Sequence, residues 1–264
     1  MDEITLRRMA GRLKVSVASL EKDFVLTKIL YAISKSELKN KLVFKGGTAL
    51  NKAYFNYYRL SEDLDFTAVD TTTNYIKKSI RGIAKKLKIE LKDENITKYS
   101  YVAVFRFIDI LNYPNNVNID INTDERLVLP LLKKDIKHFY DIPPFKIQVM
   151  DLRELTAEKI RALIQRKKPR DYYDVWYILK RNKRLLKGMK SLLKKKCENV
   201  KVKMDLNEIF LHPKDIRKLW EHHLVELVER LPNFDKVIEE LRSYINKIKW
   251  LLTKYMQFLA KYKL

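Results

Sequence analysis

The spacing of apolar positions changes along this chain, and the changes mark its elements. From residue 16 to 35, Val17, Leu20, Phe24, Leu26, Ile29 and Leu30 recur at roughly helical spacing, which predicts an amphipathic helix. Leu42-Val43-Phe44 is a short apolar run and reads as a buried strand. It ends at Gly46-Gly47-Thr48, and a helix is expected from about Ala49 to Tyr58. Polar and apolar residues then alternate from Ser61 to Phe66, a strand pattern. Residues 75–90 are Lys-rich and helical in character. Residues 100–111 are crowded with β-branched and aromatic types, and 117–122 (VNIDIN) alternate cleanly. The turn residues Asn112, Pro114, Asn115 and Asn116 between them predict a hairpin. One more short strand is expected at 146–150.

Beyond residue 150 the texture is helical. Helices are expected at 154–166 and 171–180. A long helical pattern covers 214–264, with Leu219, Leu224, Leu227, Val228 and Leu231 followed by Val237, Leu241, Ile245, Ile248 and Leu252. No internal repeat is visible. The expected fold class is therefore α/β (α+β). A sheet flanked by helices fills residues 1–150, with the helix of 16–35 at its start, and a helical domain fills 151–264. Trp176, Trp220 and Trp250 read as core residues.

Composition sharpens the picture mainly through charge. The 264 residues include 55 Lys and Arg against 33 Asp and Glu, a net charge of +22. A field of that sign attracts polyanions, and nucleic acid is the favoured partner. A Lys-rich, heat-adapted composition would raise Glu as well, and an anionic membrane surface is the weaker competitor. Between 180 and 203 Lys and Arg dominate, with Glu198 the only acid. That run is a candidate for nucleic-acid backbone contacts, although such runs are usually solvated. Only 5 Gly and 7 Pro point to a helix-rich chain. The single cysteine, Cys197, excludes an intramolecular disulfide and a cysteine metal site; its lysine neighbours would lower its pKa, but with no base partner nearby it reads as a plain free thiol. Met1–Thr5 has no signal-peptide character and no apolar run is long enough to span a bilayer, so a soluble, cytoplasmic chain is expected. His212, His222 and His223 match no metal spacing and read as surface residues.

The candidate chemistry lies between Lys45 and Phe66, KGGTALNKAYFNYYRLSEDLDF. A strand running through two glycines into a helix offers backbone N–H groups to an anion, though alone it is more often a plain turn. On a strand, Asp63 and Asp65 point to one face, where two carboxylates repel unless a divalent cation joins them. In VNIDIN, Asp120 shares its face with Asn118 and Asn122. Paired beside the Ser61–Phe66 strand, it would complete a three-carboxylate set able to hold Mg²⁺, with Mn²⁺ the substitute. The plainer readings are a solvated strand end for Asp63 and Asp65, and a hairpin aspartate for Asp120. Asp171 and Asp174 lie at i and i+3 on one helix face, where pairing with Lys167, Lys168 or Arg170 is the plain reading. In isolation Glu158 and Lys159 read as solvated helix surface.

Together these residues resemble a known family. LEKDFVLTKIL (20–30), VFKGGTALNKAY, RLSEDLDF and LTAEKIRALIQRKKPRDYYDVWYIL (155–179) look like the AbiEii-type nucleotidyltransferase toxins, whose core is similar to that of DNA polymerase β. The resemblance covers roughly residues 15–180 and leaves the last third unmatched. It implies a nucleotidyltransferase-type mixed sheet. It also implies an NTP substrate and transfer of a nucleoside monophosphate to the 3′ end of tRNA, with pyrophosphate released. Toxicity held by a separate antitoxin protein follows from the same resemblance. Gly46, Gly47 and Thr48, with Lys45, would bind the triphosphate, assisted by Arg59 and Ser61. Asp63, Asp65 and Asp120 would hold the metal. Lys159 would contact nucleotide phosphates, and Arg170, Asp171 and Asp174 form the RDxxD element, with Asp174 the favoured catalytic aspartate. The alternatives are nucleotidylation of a protein or small molecule, or a catalytically inactive RNA-binding protein.

Overall fold

The structure is a computed structural model that describes residues 1–262, with side chains through residue 249. The side chains of Trp250 and Leu252, read above as apolar core positions, lie outside the described residues. The chain forms two compact units. One comprises Met1–Asp151 with Glu226–Glu229; the other comprises Leu152–Val225 and the chain from Arg230 onward.

The first unit is built on a seven-stranded mixed sheet. Its strands are β1 (Leu42–Lys45), β2 (Asp63–Ala68), β3 (Glu90–Ile96), β4 (Ser100–Phe107), β5 (Asn115–Asn122), β6 (Leu132–Asp135) and β7 (Lys146–Val149). Their order is β3-β4-β5-β2-β1-β7-β6. β2 runs parallel to β5, and β1 to β7; the other pairs are antiparallel. β4 and β5 form the expected hairpin. Alternation along the strands gathers Phe44, Leu64, Phe66, Ala103, Phe105, Val117, Ile119 and Ile121 on one buried face. Helices α2 (Val17–Ser34) and α4 (Thr73–Lys86) pack on the sheet.

Several elements differ from expectation for physical reasons. α2 is not simply amphipathic: Glu21, Asp23 and Thr27 are as buried as its leucines. Part of that cover comes from an unanticipated helix, α1 (Glu3–Leu13), whose Leu6 and Ala10 pack with Leu20, Leu111 and Tyr140. β3 and β6 also escaped the pattern. They are the two edges of the sheet, where charged side chains are favoured and alternation fades. The helix after β1 starts at Gly46 itself as α3 (Gly46–Ala49) and continues into a π-helical turn, Leu50–Phe55. It ends before Tyr58, at Asn56 and Tyr57, both left-handed (φ 48° and 63°).

The second unit is helical: α5 (Leu152–Gln165), α6 (Pro169–Arg181), α7 (Met189–Asn199), α8 (Pro213–Leu224) and α9 (Phe234–Tyr262). α5 packs on α6 and α7, and α6 on α8 and α9. Trp176 and Trp220 are core residues with a polar handle, donating from Nε1 to Glu240 and to the Pro232 carbonyl. The helical pattern through Leu227, Val228 and Leu231 does not hold, because α8 stops at Leu224. Pro232 disfavours helical geometry at the residue before it. Leu227 and Val228 are still buried, but in the turn that belongs to the first unit. Among the described residues no helix is long and apolar enough to cross a membrane.

Candidate active site

The polar face of the sheet carries the acidic residues. β1, β2 and β5 pair so that Lys45 stands opposite Asp65, and Asp65 opposite Asp120. Neighbouring strands lie about 4.8 Å apart, so these three residues form one row across the sheet. Two residues along β2, Asp63 stands opposite Asn118, whose side-chain amide donates to Asp63 Oδ1 at 2.8 Å. Apolar alternation causes this placement: Leu64, Phe66, Ile119 and Ile121 must face the core, which turns Asp63, Asp65 and Asp120 outward together.

The glycines are required by what lies over them. Gly46 is left-handed (φ 75°), and a Cβ there would fall 1.9 Å from Asp65 Oδ2. A Cβ on Gly47 would fall 2.6 Å from Arg59 Nη2 and 2.9 Å from Ser61 Oγ. Arg59 and Ser61 are both buried. Ser61 thus works from the segment before β2, not from the strand expected for it. Thr48 Oγ1 donates to the Asp63 carbonyl at 2.5 Å and ties the helix start to β2. α3 begins with no side-chain cap, and the start of a helix presents N–H groups that can donate to an anion.

Acids crowd this face. Loss of water pushes the Asp120 carboxyl above its ordinary value, Lys45 opposes the shift, and Asp63 adds to it. Lys45 is itself bonded to Glu125 at 3.0 Å, with both side chains largely buried. Glu125 was missed in the sequence. Its one local signal is Asn122, whose Oδ1 accepts from the N–H groups of Asp124 (3.0 Å) and Glu125 (2.6 Å) and so turns the chain back at the end of β5. The three aspartates suit a divalent cation in kind: hard oxygen donors on one face whose repulsion a cation offsets. Their carboxylates are nevertheless not converged, since Asp63 bonds Asn118 and Asp65 lies over Gly46. Among the described residues no three His, Cys, Asp or Glu side chains are gathered as a metal-holding group.

The helical unit gathers the remaining sequence candidates. Lys159 Nζ lies between Asp171 Oδ1 (2.9 Å) and Asp174 Oδ2 (2.8 Å), and Arg166 clamps Asp171 at 2.8 and 3.1 Å. Lys159 is not solvated surface: it is 9% exposed, and Asp171 and Asp174 are buried. Burial works to raise Asp171, but Lys159 and Arg166 outweigh it and hold the carboxyl below its ordinary value. Lys159 and Arg166 join these carboxylates because α5 and α6 pack with these side chains between them. Lys167 pairs with Glu208 at 3.2 Å.

A second ion cluster corrects the reading of the basic run. Lys196 is fully buried between Glu154 (3.1 Å) and Glu158 (2.8 Å), so it holds α7 on α5 and cannot meet a nucleic acid. Cys197 beside it is also buried, and burial raises its thiol despite the surrounding lysines. Lys183, Arg184, Lys187, Lys194, Lys195, Lys201 and Lys203 are exposed.

A mixed sheet bearing acidic residues on adjacent strands, beside a Gly-Gly helix start, is in keeping with the nucleotidyltransferase class that the sequence resembles. The family described as nucleotidyl transferase AbiEii toxin, type IV toxin–antitoxin system, matches residues 28–240. The chain belongs to that family. Among solved structures it is similar to the MenT4 nucleotidyltransferase toxin from Mycobacterium tuberculosis H37Rv (TM-score 0.67, 18% identity, 94% of this chain and 90% of that one). It is also similar to JHP933 from Helicobacter pylori (0.61, 18%, 95% and 100%). A putative nucleotidyltransferase from H. pylori gives 0.57 at 17% identity, covering 91% and 99%. No curated protein sequence matches the chain significantly.

Proposed function

We propose that this chain transfers a nucleoside monophosphate from an NTP to a nucleic-acid acceptor, the 3′ end of tRNA, as the toxin of a toxin–antitoxin pair whose antitoxin is a separate protein. The observation that carries the reading is the row Lys45–Asp65–Asp120 beside the Gly46–Gly47 turn. The backbone at Gly46 and Gly47 and the Arg59 guanidinium over it bind the β- and γ-phosphates, with Ser61 and Thr48 shaping the turn. Lys45 places a positive charge next to the row of acids. Asp63, Asp65 and Asp120 would hold Mg²⁺. Bound there, Mg²⁺ supplies charge that favours ionisation of the attacking hydroxyl and offsets that of the leaving pyrophosphate. In the transfer, a new bond forms from the acceptor oxygen to the α-phosphorus, the bond from that phosphorus to the bridging oxygen breaks, and pyrophosphate carries the electron pair away.

In the helical unit, Lys159 offers its ammonium to a phosphate, and Asp174, fully buried against it, acts by positioning that ammonium. Asp171 does the same under the grip of Arg166, and Arg170 opens the helix that carries both. The exposed cations between Lys183 and Lys203 support a nucleic-acid acceptor. No large apolar side chain is exposed among them in the described residues, as a protein partner would require.

The test incubates the protein with each α-³²P-NTP, Mg²⁺ and total tRNA, beside an Asp63→Ala, Asp65→Ala double variant. Label on tRNA that vanishes in the variant is the expected result. Label on protein alone would move the acceptor to a polypeptide. No label with any NTP, and tRNA binding unaffected by the double variant, would leave an RNA-binding protein without transferase activity.

A further inference from the structure

Two stretches that carry the family resemblance have no part in the chemistry above: LEKDF around Asp23 and LNKAY around Lys52. The fold brings them together. Lys52 lies in the π-helical turn and Asp23 in α2; both side chains are fully buried, with Nζ 2.8 Å from Asp23 Oδ2. The same carboxylate oxygen accepts from the hydroxyls of Tyr140 (2.7 Å) and Tyr57 (3.2 Å), and Lys52 also donates to the Tyr57 hydroxyl at 3.2 Å.

A buried ion pair is a weak source of net stability, because desolvation offsets most of its attraction. The question is what this one holds in place. Tyr57 and Asn56 before it are both left-handed, a conformation that strains a bulky L-residue such as Tyr57. They open the segment 56–62, which seats Arg59 and Ser61 against Gly47. At the far end of that segment Glu62 accepts from Lys22 at 3.2 Å. Lys22 and Asp23 are neighbours on α2, so one helix turn grips both ends of the strained segment.

We propose that Asp23 is a positioning residue for the triphosphate cradle: through Lys52 and Tyr57 it holds the segment 56–62 in the path that seats Arg59 and Ser61 over Gly47. The inference rests on the reading of that turn as the phosphate site. Asp23 touches no substrate. Its oxygen anchors Tyr57, and Tyr57 fixes the direction in which the chain leaves the helix. Tyr140 bonds the same oxygen and its hydroxyl also meets that of Tyr57, but it lies outside the segment, so comparing the two separates the network from the path of the chain.

The experiment measures Mg²⁺-dependent binding of ATP, GTP, CTP and UTP by calorimetry on the full chain, with thermal melting of each variant. Tyr57→Phe and Asp23→Asn should weaken binding of the preferred NTP by roughly tenfold. In the transfer assay they should raise KM by the same factor, with kcat at saturating NTP within about twofold of the parent. Tyr140→Phe should lower the melting temperature about as much as Tyr57→Phe and weaken NTP binding by about twofold at most. If Tyr57→Phe and Tyr140→Phe lower melting alike and neither alters NTP affinity, the network is structural only and the inference is overturned. Should Asp23→Asn not fold, Tyr57→Phe against Tyr140→Phe decides alone. An unmodified protein that binds none of the four NTPs overturns the phosphate-site reading and this inference with it.

Discussion

In the helical unit crowded charges meet their opposites: Lys159 sits between Asp171 and Asp174, and Lys196 between Glu154 and Glu158. On the sheet of the α/β unit, Asp63, Asp65 and Asp120 share one face, and the adjacent cation, Lys45, is bonded to Glu125. The first arrangement sets each cation among acids inside the fold, and of its two lysines only Lys159 is proposed to meet a ligand. The second sets like charges side by side, where a bound cation or nucleotide complex can relieve the repulsion.

This contrast can be broken by mutation. The largest effect should follow Asp63→Ala with Asp65→Ala, which should cut transfer roughly a thousandfold or more while the melting temperature stays level or rises, since like charges are removed. Transfer rates and calorimetry on the same sample check both halves. A marked drop in melting temperature would show that the acids are structural.

The converse experiment is Glu154→Ala, which removes a carboxylate bonded to buried Lys196 and leaves Glu158 beside it. Unfolding in urea should show a loss on the order of 3 kcal/mol. A change under half that size would mean the buried cluster is dispensable.

Gly47→Ala is expected to act on both sides of the comparison, because its Cβ must displace Arg59 and Ser61. A loss of about 1–3 kcal/mol in stability should accompany weaker NTP binding. Unchanged binding would remove Arg59 from the phosphate site.

The smallest effect is in pH dependence, and the two units should differ in sign. Asp171 has a depressed folded pKa, so its contribution is complete above the ordinary aspartate value near 3.9 and is lost as pH falls below it toward the folded pKa. Asp120 has a raised folded pKa. It penalises the metal-free fold above that pKa, and the penalty is relieved as pH falls through it. In metal-free protein, Asp120→Asn should therefore stabilise at neutral pH, with the gain shrinking on acidification before the Asp171→Asn loss begins to shrink. Melting curves of both variants from pH 7 to pH 3 test the order, and a destabilising Asp120→Asn at neutral pH would contradict it.

Much of the α/β unit could be read from the sequence because its strands are half-buried and alternate. Asp63 and Asp65 were placed on one face of their strand, and Asp120 with Asn118 and Asn122 on one face of its own, by period alone; that the two faces are shared needed the structure. Elements without that constraint were lost. β3 and β6 are polar edges, and α1 is a short cover whose apolar stripe is brief. Partners far apart in sequence were lost too: Glu125 lies 80 residues from Lys45, and nothing local announces the bond. Lys196 shows the opposite error, where composition suggests solvent and tertiary packing overrides it. The LEKDF and LNKAY stretches were legible as patterns, but their shared purpose appears only when Asp23 and Lys52 meet.

One backbone bond has a consequence for the order in which the protein matures. Leu60, between Arg59 and Ser61, donates its N–H to the carbonyl of Leu227 at 2.7 Å. The segment 56–62 is thus fastened by residues synthesised long after it, on the order of ten seconds later at ribosomal rates. A chain halted before residue 227 would carry Gly46, Asp63, Asp65 and Asp120 yet lack this bond between Arg59 and Ser61.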